Sequence, residues 1–268
     1  MEVRYQLRYS PMPHHGTASV YPTPRLPEFG ISLRHRLATV RNVTTVEAVP
    51  LTARCARIFA GREHALLGIS AMNGYFSLGA ITGLLHWARG YFKRVDVLVP
   101  GIELAGTLAA RGDLPPRKAN KKARAAINNT RNRVLHALSA LQAPDVGVYS
   151  WTDLHDRPAY TGLRSRLDEL YLCDSAFREL CDAALEPVLG TSRPTPDQVR
   201  EAIPFLLSEL PLMLNTPAIL ETESSLFCYP RMLPVAKWLY AGMMPVYPSV
   251  GQGMLTTRLT GIDAGENH

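Results

Sequence analysis

Two short apolar runs separated by one amphipathic stretch constrain this chain more than any other feature. Ala65–Ile69 and Val95–Val99 are each long enough for one buried strand. Between them, from Ser77 to Phe92, apolar residues recur at helical spacing: Leu78, Ile81, Leu84, Leu85, Ala88 and Tyr91. A strand, a helix and a second buried strand in this order close as a parallel unit. The expected fold class is therefore α/β, a Rossmann-like parallel sheet flanked by helices. Neither the Gly-rich fingerprint of dinucleotide binders nor the phosphate loop of P-loop proteins is present, so nucleotide binding has no support.

Ser70-Ala-Met-Asn73-Gly74 is the small-residue turn that hands the first strand over to the helix. In an α/β fold that turn lies at the carboxyl edge of the sheet, where ligands bind. A serine there either caps the helix or faces a ligand, and position alone does not separate the two.

The rest of the chain bounds the setting. At 268 residues, one large domain with its own core is expected. Residues 1–33 hold Pro11, Pro13, Pro22, Pro24 and Pro27 without periodicity and read as a flexible extension. Residues 34–260 form the domain and 261–268 a tail. A strand is expected within 38–49, a helix near 52–60, a strand at 146–149, one helix over 163–185, a helix at 232–239 and a last strand at 251–258. Cys55, Cys173, Cys181 and Cys228 are widely spaced and read as reduced thiols. The His14–His15 pair lacks further ligands, so no metal is expected. No signal-type apolar run opens the chain, and the expectation is a cytoplasmic monomer without a membrane.

The net charge of +6 is unevenly placed. Arg117, Lys118, Lys121, Lys122, Arg124, Arg131 and Arg133 supply seven positive charges, and no acid lies between Asp113 and Asp145. Without those seven, the chain has 22 basic and 23 acidic residues. The segment opens at Pro115-Pro116 and runs as a helix to about Leu141, with Ala123, Ile127, Thr130, Val134, Leu138 and Leu141 as its apolar stripe. Solvated helix faces normally mix signs, so a single-sign face points to a polyanion bound through its phosphates. The helix has no Phe, Tyr or Trp for base stacking.

Thr195-Pro-Asp-Gln198 starts another helix, with Thr at the cap, Pro in first position and Gln three residues on. It continues through a run in which Glu209 is the only charge between Ala202 and Leu220. Pro204, Pro211 and Pro217 and a central acid costing about 2.5–3.5 kcal/mol on insertion argue for a buried helix over a membrane span. A lone buried carboxylate has an internal partner, is protonated, or awaits a cationic ligand. Composition leaves all three open.

His64-Ala-Leu-Leu-Gly68-Ile-Ser70-x-x-Asn73-x-Tyr75-Phe76-Ser77 resembles the nucleophile segment of the cyclodipeptide synthases, which turn two aminoacyl-tRNAs into a cyclic dipeptide. A distant segment, Phe205-Leu-Leu-Ser-Glu209-Leu-Pro followed by Tyr229-Pro230, is similar to that family's other catalytic stretch. The resemblance implies the fold of the catalytic domain of class I (Tyr/Trp-type) aminoacyl-tRNA synthetases. It implies Ser70 as nucleophile, Glu209 as holder of the substrate ammonium, Tyr229 as proton relay and Asn73 as support of the loop. It further implies Leu66, Gly68, Leu212 and Phe227 as an apolar first pocket, the basic helix as a tRNA site, two aminoacyl-tRNAs as partners and no cofactor.

His64 cannot be the base for Ser70. Six residues of strand at about 3.3 Å each separate the two by roughly 20 Å. The family has Tyr where this chain has Phe205, so either another hydroxyl, with Tyr160 the candidate, takes its place or activity falls. Asn73 together with Tyr229-Pro230 mixes the patterns of the family's two subgroups. A non-catalytic aminoacyl-tRNA binder and a serine hydrolase are the competing functions.

Overall fold

The computed structural model describes residues 33–36, 45–112 and 114–260. Seven strands form one sheet in the order β1-β2-β7-β6-β3-β4-β5. These are β1 (Leu33–Arg36), β2 (Thr45–Pro50), β3 (His64–Gly68), β4 (Arg94–Val99), β5 (Gly147–Ser150), β6 (Ser225–Tyr229) and β7 (Gln252–Thr260). The five strands from β7 to β5 are parallel, whereas β1 and β2 add an antiparallel edge. β3 and β6 are buried along their whole length, as neighbouring central strands covered on both faces must be.

From β3 the chain moves outward to β4 and β5, then returns to the other side of β3 for β6 and β7. The order reverses between β3 and β6, and the crevice at the carboxyl ends of those two strands is where such sheets hold ligands. Ser70 lies two residues beyond β3, and Tyr229 is the last residue of β6.

Local chemistry sets the helix ends. Thr52 caps α1 (Ala53–Gly61), and Ser77 caps α2 (Leu78–Tyr91) by accepting from Ala80 N at 3.2 Å. The expected single helix over 163–185 is two, α5 (Pro158–Cys173) and α6 (Ser175–Leu189). Asp174 causes the break, since its extended backbone ends one helix while its carboxylate caps the next through Phe177 N at 2.9 Å. The strand expected within 38–49 starts at Thr45, and residues 37–44 lie outside those described. So do residues 1–32 of the expected extension and the 261–268 tail.

α7 (Pro196–Leu220) begins with the expected capping box of Thr195 and Gln198. It is long and apolar enough to cross a membrane, yet two thirds of its apolar window is buried against other elements of the fold. Three internal prolines are accommodated, and the helix kinks at Asn215, two residues before Pro217. α3 (Leu104–Gly112) has no counterpart in the sequence reading. It packs so closely on α7 that a Cβ on Gly106 would sit 1.9 Å from the Glu201 carbonyl oxygen. α4 (Pro116–Ala140) is the basic helix, and α8 (Pro234–Tyr240) completes the set.

Candidate active site

Ser70, Asn73, Glu209 and Tyr229 line one cavity of about 330 Å³ at the β3/β6 crevice. β3 delivers Ser70 through a loop that the Asn73 carboxamide shapes by accepting from Tyr75 N at 3.0 Å. Ser70 Oγ accepts from Met72 N at 3.4 Å. β6 delivers Tyr229 from the next strand. Gly68 makes the meeting possible, because a Cβ there would lie 3.0 Å from the Phe227 ring and 3.3 Å from the Tyr229 ring. α7 brings Phe205 and Glu209, one turn apart, to the same wall.

Electrostatics tie the four together. Burial pushes Glu209 up to about 7, and no cation lies within ion-pair distance of it among the described residues. Of the three states composition left open, the internal ion pair is thereby excluded for those residues. Burial also raises the Tyr229 phenol; hydrogen bonding with Asn73 and Ser70 pulls it back, and the Glu209 charge adds to the rise. Tyr229 is therefore a protonated phenol at neutral pH, able to donate and relay but not a standing base.

Several other expected site residues lie elsewhere. Leu66, Leu212 and Phe227 are completely buried core residues and do not line this cavity, although Gly68 and Phe205 do. Tyr160 is also buried; its hydroxyl donates to the Ser208 carbonyl at 3.0 Å, and burial pushes it up to about 12. It is committed to α7 and does not replace the missing phenol at position 205. The apolar wall is instead Leu98, Val99, Leu104, Leu108 and Trp151, with Phe205 edge-on to Trp151 at 4.8 Å. Trp151 follows the last residue of β5, and Leu98 and Val99 end β4, so the carboxyl-edge rule could have nominated them. Leu104 and Leu108 sit on α3, which the sequence reading passed over. Arg111 and Arg231, also missed, bring two exposed guanidinium groups to the cavity lining.

The basic helix divides in two. Arg117, Lys118, Lys121, Lys122 and Arg124 are exposed and make no ion pair among the described residues. Arg133 turns back into the protein, which corrects its place on the exposed arc, whereas Arg131 stays 40% exposed but is taken up by a surface ion pair. Arg131 bonds Asp153 at 3.3 Å and donates to the Val148 carbonyl at 3.3 Å, and Arg133 donates to the Phe76 carbonyl at 2.6 Å.

Among the described residues, no histidine lines the cavity. His64 is a buried strand-entry residue, with Nδ1 at 2.8 Å from Ser225 Oγ and Nε2 at 3.2 Å from Asp96 Oδ2. This hydroxyl–imidazole–carboxylate chain sits at the amino-terminal edge of the sheet, six residues along the chain from Ser70. A Ser-His-acid hydrolase triad has no imidazole among the described residues of the cavity. Among the described residues, no group of three or more His, Cys, Asp or Glu side chains is arranged to hold a metal.

Fold and cavity define a class: an α/β protein whose sheet edge gathers a serine hydroxyl, a phenol and an acid without an ion-pair partner among the described residues. The cyclodipeptide synthase family profile matches residues 46–258. Over 204 residues the chain is 33% identical to the cyclo(L-leucyl-L-leucyl) synthase of Bacillus subtilis, a match covering 73% of this chain and 82% of that one. It is 30% identical to the cyclo(L-tyrosyl-L-tyrosyl) synthase of Mycobacterium tuberculosis, covering 76% and 73%. A solved Mycobacterium tuberculosis structure, described as relating cyclodipeptide synthetases to type I tRNA synthetases, superposes with a TM-score of 0.75 at 28% identity, covering 80% of this chain and 94% of that one. A cyclodipeptide synthase from Bacillus thermoamylovorans gives 0.74 at 27% identity, covering 81% and 97%. The chain belongs to the cyclodipeptide synthase family.

Proposed function

We propose that this enzyme joins the aminoacyl groups of two aminoacyl-tRNAs into a cyclic dipeptide through covalent intermediates on Ser70. The observation that carries the reading is the meeting of Ser70, Asn73, Glu209 and Tyr229 on one cavity. Ser70 Oγ attacks the ester carbonyl of the first substrate, the bond to the tRNA sugar breaks, and the sugar hydroxyl leaves with a proton. The amine of the aminoacyl-enzyme then attacks the second ester, giving a dipeptidyl-Ser70 and a second free tRNA. The remaining free amine attacks the Ser70 ester, closing the ring and returning the serine. Each ester already stores the energy its replacement needs, so no nucleotide is consumed.

Glu209 supports this scheme because an acid pushed up to about 7 by burial regains its charge when an ammonium comes to share its site. Tyr229 is held protonated and stands next to Ser70, suited to passing a proton between the departing and attacking groups. The wall of Leu98, Val99, Leu104, Leu108 and Trp151 favours an apolar first amino acid. That agrees with the leucyl and tyrosyl products in the relatives' names. The exposed cations from Arg117 to Arg124, together with Arg111 and Arg231 beside the cavity, suit a tRNA backbone.

Expression in a bacterium followed by mass spectrometry of the medium tests the reading. Diketopiperazines containing a hydrophobic residue are expected from the native chain, and Ser70→Ala should lower them at least about a thousandfold. Aminoacyl-tRNA binding without product in the native chain would favour a non-catalytic binder.

A further inference from the structure

The loop from Ser70 to Ser77 belongs to no helix or strand. Within itself it has the Asn73 turn, a 3.2 Å bond from Phe76 N to the Asn73 carbonyl and a 2.9 Å bond from Ser77 N to the Tyr75 carbonyl. Besides the Ser77 cap on α2 and the bonding of Tyr229 with Ser70 and Asn73, two hydrogen bonds tie it to more distant elements. The Tyr75 hydroxyl accepts from Leu259 N of β7 at 2.9 Å, and Arg133 of α4 donates to the Phe76 carbonyl at 2.6 Å. Arg133 also donates to Thr130 Oγ1 at 3.2 Å and, through Nε, to the Asn129 carbonyl at 3.4 Å. All three of its nitrogens thus have a partner within the protein, the Nε bond at the surface and the other two partly buried. The Phe76 ring is fully buried and lies 5.8 Å from the ring of Tyr229.

We infer that Arg133 is a positioning residue for the reaction proposed above, on which this inference rests, and not part of the polyanion face of its own helix. Its guanidinium fork spans from the helix to the loop, so the backbone that carries Ser70 and the ring that backs Tyr229 are held at one distance from α4. A planar, multiply bonded guanidinium does this where an ammonium cannot, since Lys offers a point charge without a fixed fork. Arg133 touches no reacting atom; it acts through Phe76. The docking face for the acceptor polyanion then consists of the exposed residues from Arg117 to Arg124, and the same helix serves the chemistry from its other side.

The experiment compares Arg133→Lys and Arg133→Met with the native enzyme and with a Lys121→Ala/Lys122→Ala variant. It measures three quantities: aminoacyl-tRNA affinity against salt, the single-turnover rate of Ser70 acylation at saturating substrate, and amide exchange over residues 70–77. Both Arg133 variants are expected to slow acylation about tenfold or more, with affinity changed less than about twofold and the salt slope unaltered. Their exchange at Tyr75–Ser77 should rise about fivefold or more. The lysine pair should instead lose affinity and reduce the salt slope by about two, with native acylation at saturation. A salt slope lowered by about one in Arg133→Met and restored in Arg133→Lys would make Arg133 a phosphate contact and overturn the inference. Native exchange in both variants would overturn it as well. The exchange arm needs no turnover: absence of acyl-enzyme in the native protein indicts the proposed function, whereas native acylation and exchange in the variants indict Arg133's role alone.

Discussion

The two edges of the central sheet carry nearly the same chemistry and put it to opposite uses. At the amino-terminal edge, Ser225, His64 and Asp96 are linked across β6, β3 and β4, and Asp96 also takes Arg94 at 2.8 Å and Gly147 N at 2.9 Å. Every polar group there has a partner, and the Ser225, His64 and Asp96 side chains are sealed from solvent. At the carboxyl-terminal edge, Ser70, Glu209 and Tyr229 share a cavity, and the acid has no counter-ion among the described residues. A hydroxyl, an imidazole and a carboxylate in a row suggest catalysis by composition, yet the satisfied row is a clasp between strands. The proposed reaction uses the open edge, where a substrate ammonium can supply the partner that Glu209 lacks among the described residues.

That contrast breaks most sharply at Asp96. Burial works to raise its carboxyl, but the His64 hydrogen bond and charge, Arg94 and Gly147 N outweigh it and hold the group below the usual carboxylate range. A depressed acid contributes stability above its unfolded value of 3.8, and that stability is lost as pH falls through the lower folded value. Asp96→Ala leaves the buried imidazole and Gly147 N without their partner, while half-exposed Arg94 keeps its bond to the Leu220 carbonyl, and should cost about 1–3 kcal/mol in urea denaturation. The fraction still folded should form cyclic dipeptide at the native rate. A slowed rate without lost stability would mean the clasp reaches the chemistry.

Glu209 should behave with the opposite sign. Its pKa is raised from 4.5 to about 7, so its contribution is complete below 4.5 and is lost as pH climbs through 7. The native protein therefore gives up as much as about 3 kcal/mol between pH 4.5 and pH 8 at this one group. Glu209→Gln should abolish that decline, giving nearly equal urea midpoints at pH 5 and pH 8 apart from other titrating groups, while losing capture of the substrate amine. An unchanged pH difference in the variant would show the carboxylate to be solvated or paired, and its likeness to an empty ammonium seat would end.

The sequence revealed this contrast unevenly. β3, α2 and β4 were legible because two short apolar runs flank one clean helical period, and Glu209 stood out as the one charge in a run of nineteen residues. Ser70 and Tyr229 came from motif resemblance, and the switch between β3 and β6 explains why residues so far apart in order meet. α3 escaped because Leu104-Ala-Gly-Thr-Leu-Ala-Ala-Arg-Gly112 is short, small and glycine-bearing, and Gly106 is there for close packing on α7. Leu66, Leu212 and Phe227 were misplaced because apolar residues look alike whether they face a cavity or the core; only the turn of each element decides. Arg133 was misread, and the Asp153 partner of exposed Arg131 missed, because a helix pattern shows which residues avoid the apolar stripe but not which neighbours long side chains reach.

Phe205 offers the finest test of what the open edge lacks. Its ring lines the cavity one turn before Glu209, edge-on to Trp151, but brings no hydroxyl to an amine seated at the carboxylate. Tyr160 cannot lend its own, being bound to the Ser208 carbonyl. Phe205→Tyr adds one oxygen to a half-buried ring at the cavity wall, where a hydrogen bond to a charged amine is worth about 1.5–3 kcal/mol. The variant should gain at least about tenfold in kcat/KM for product formation, with the gain lost in the Glu209→Gln background because the two groups would hold one ammonium. A gain that persists without Glu209 would place the new hydroxyl on some other atom of the substrate. No gain at all would mean that an ordered water already fills the seat, and that the open edge of this sheet is less empty than its side chains make it.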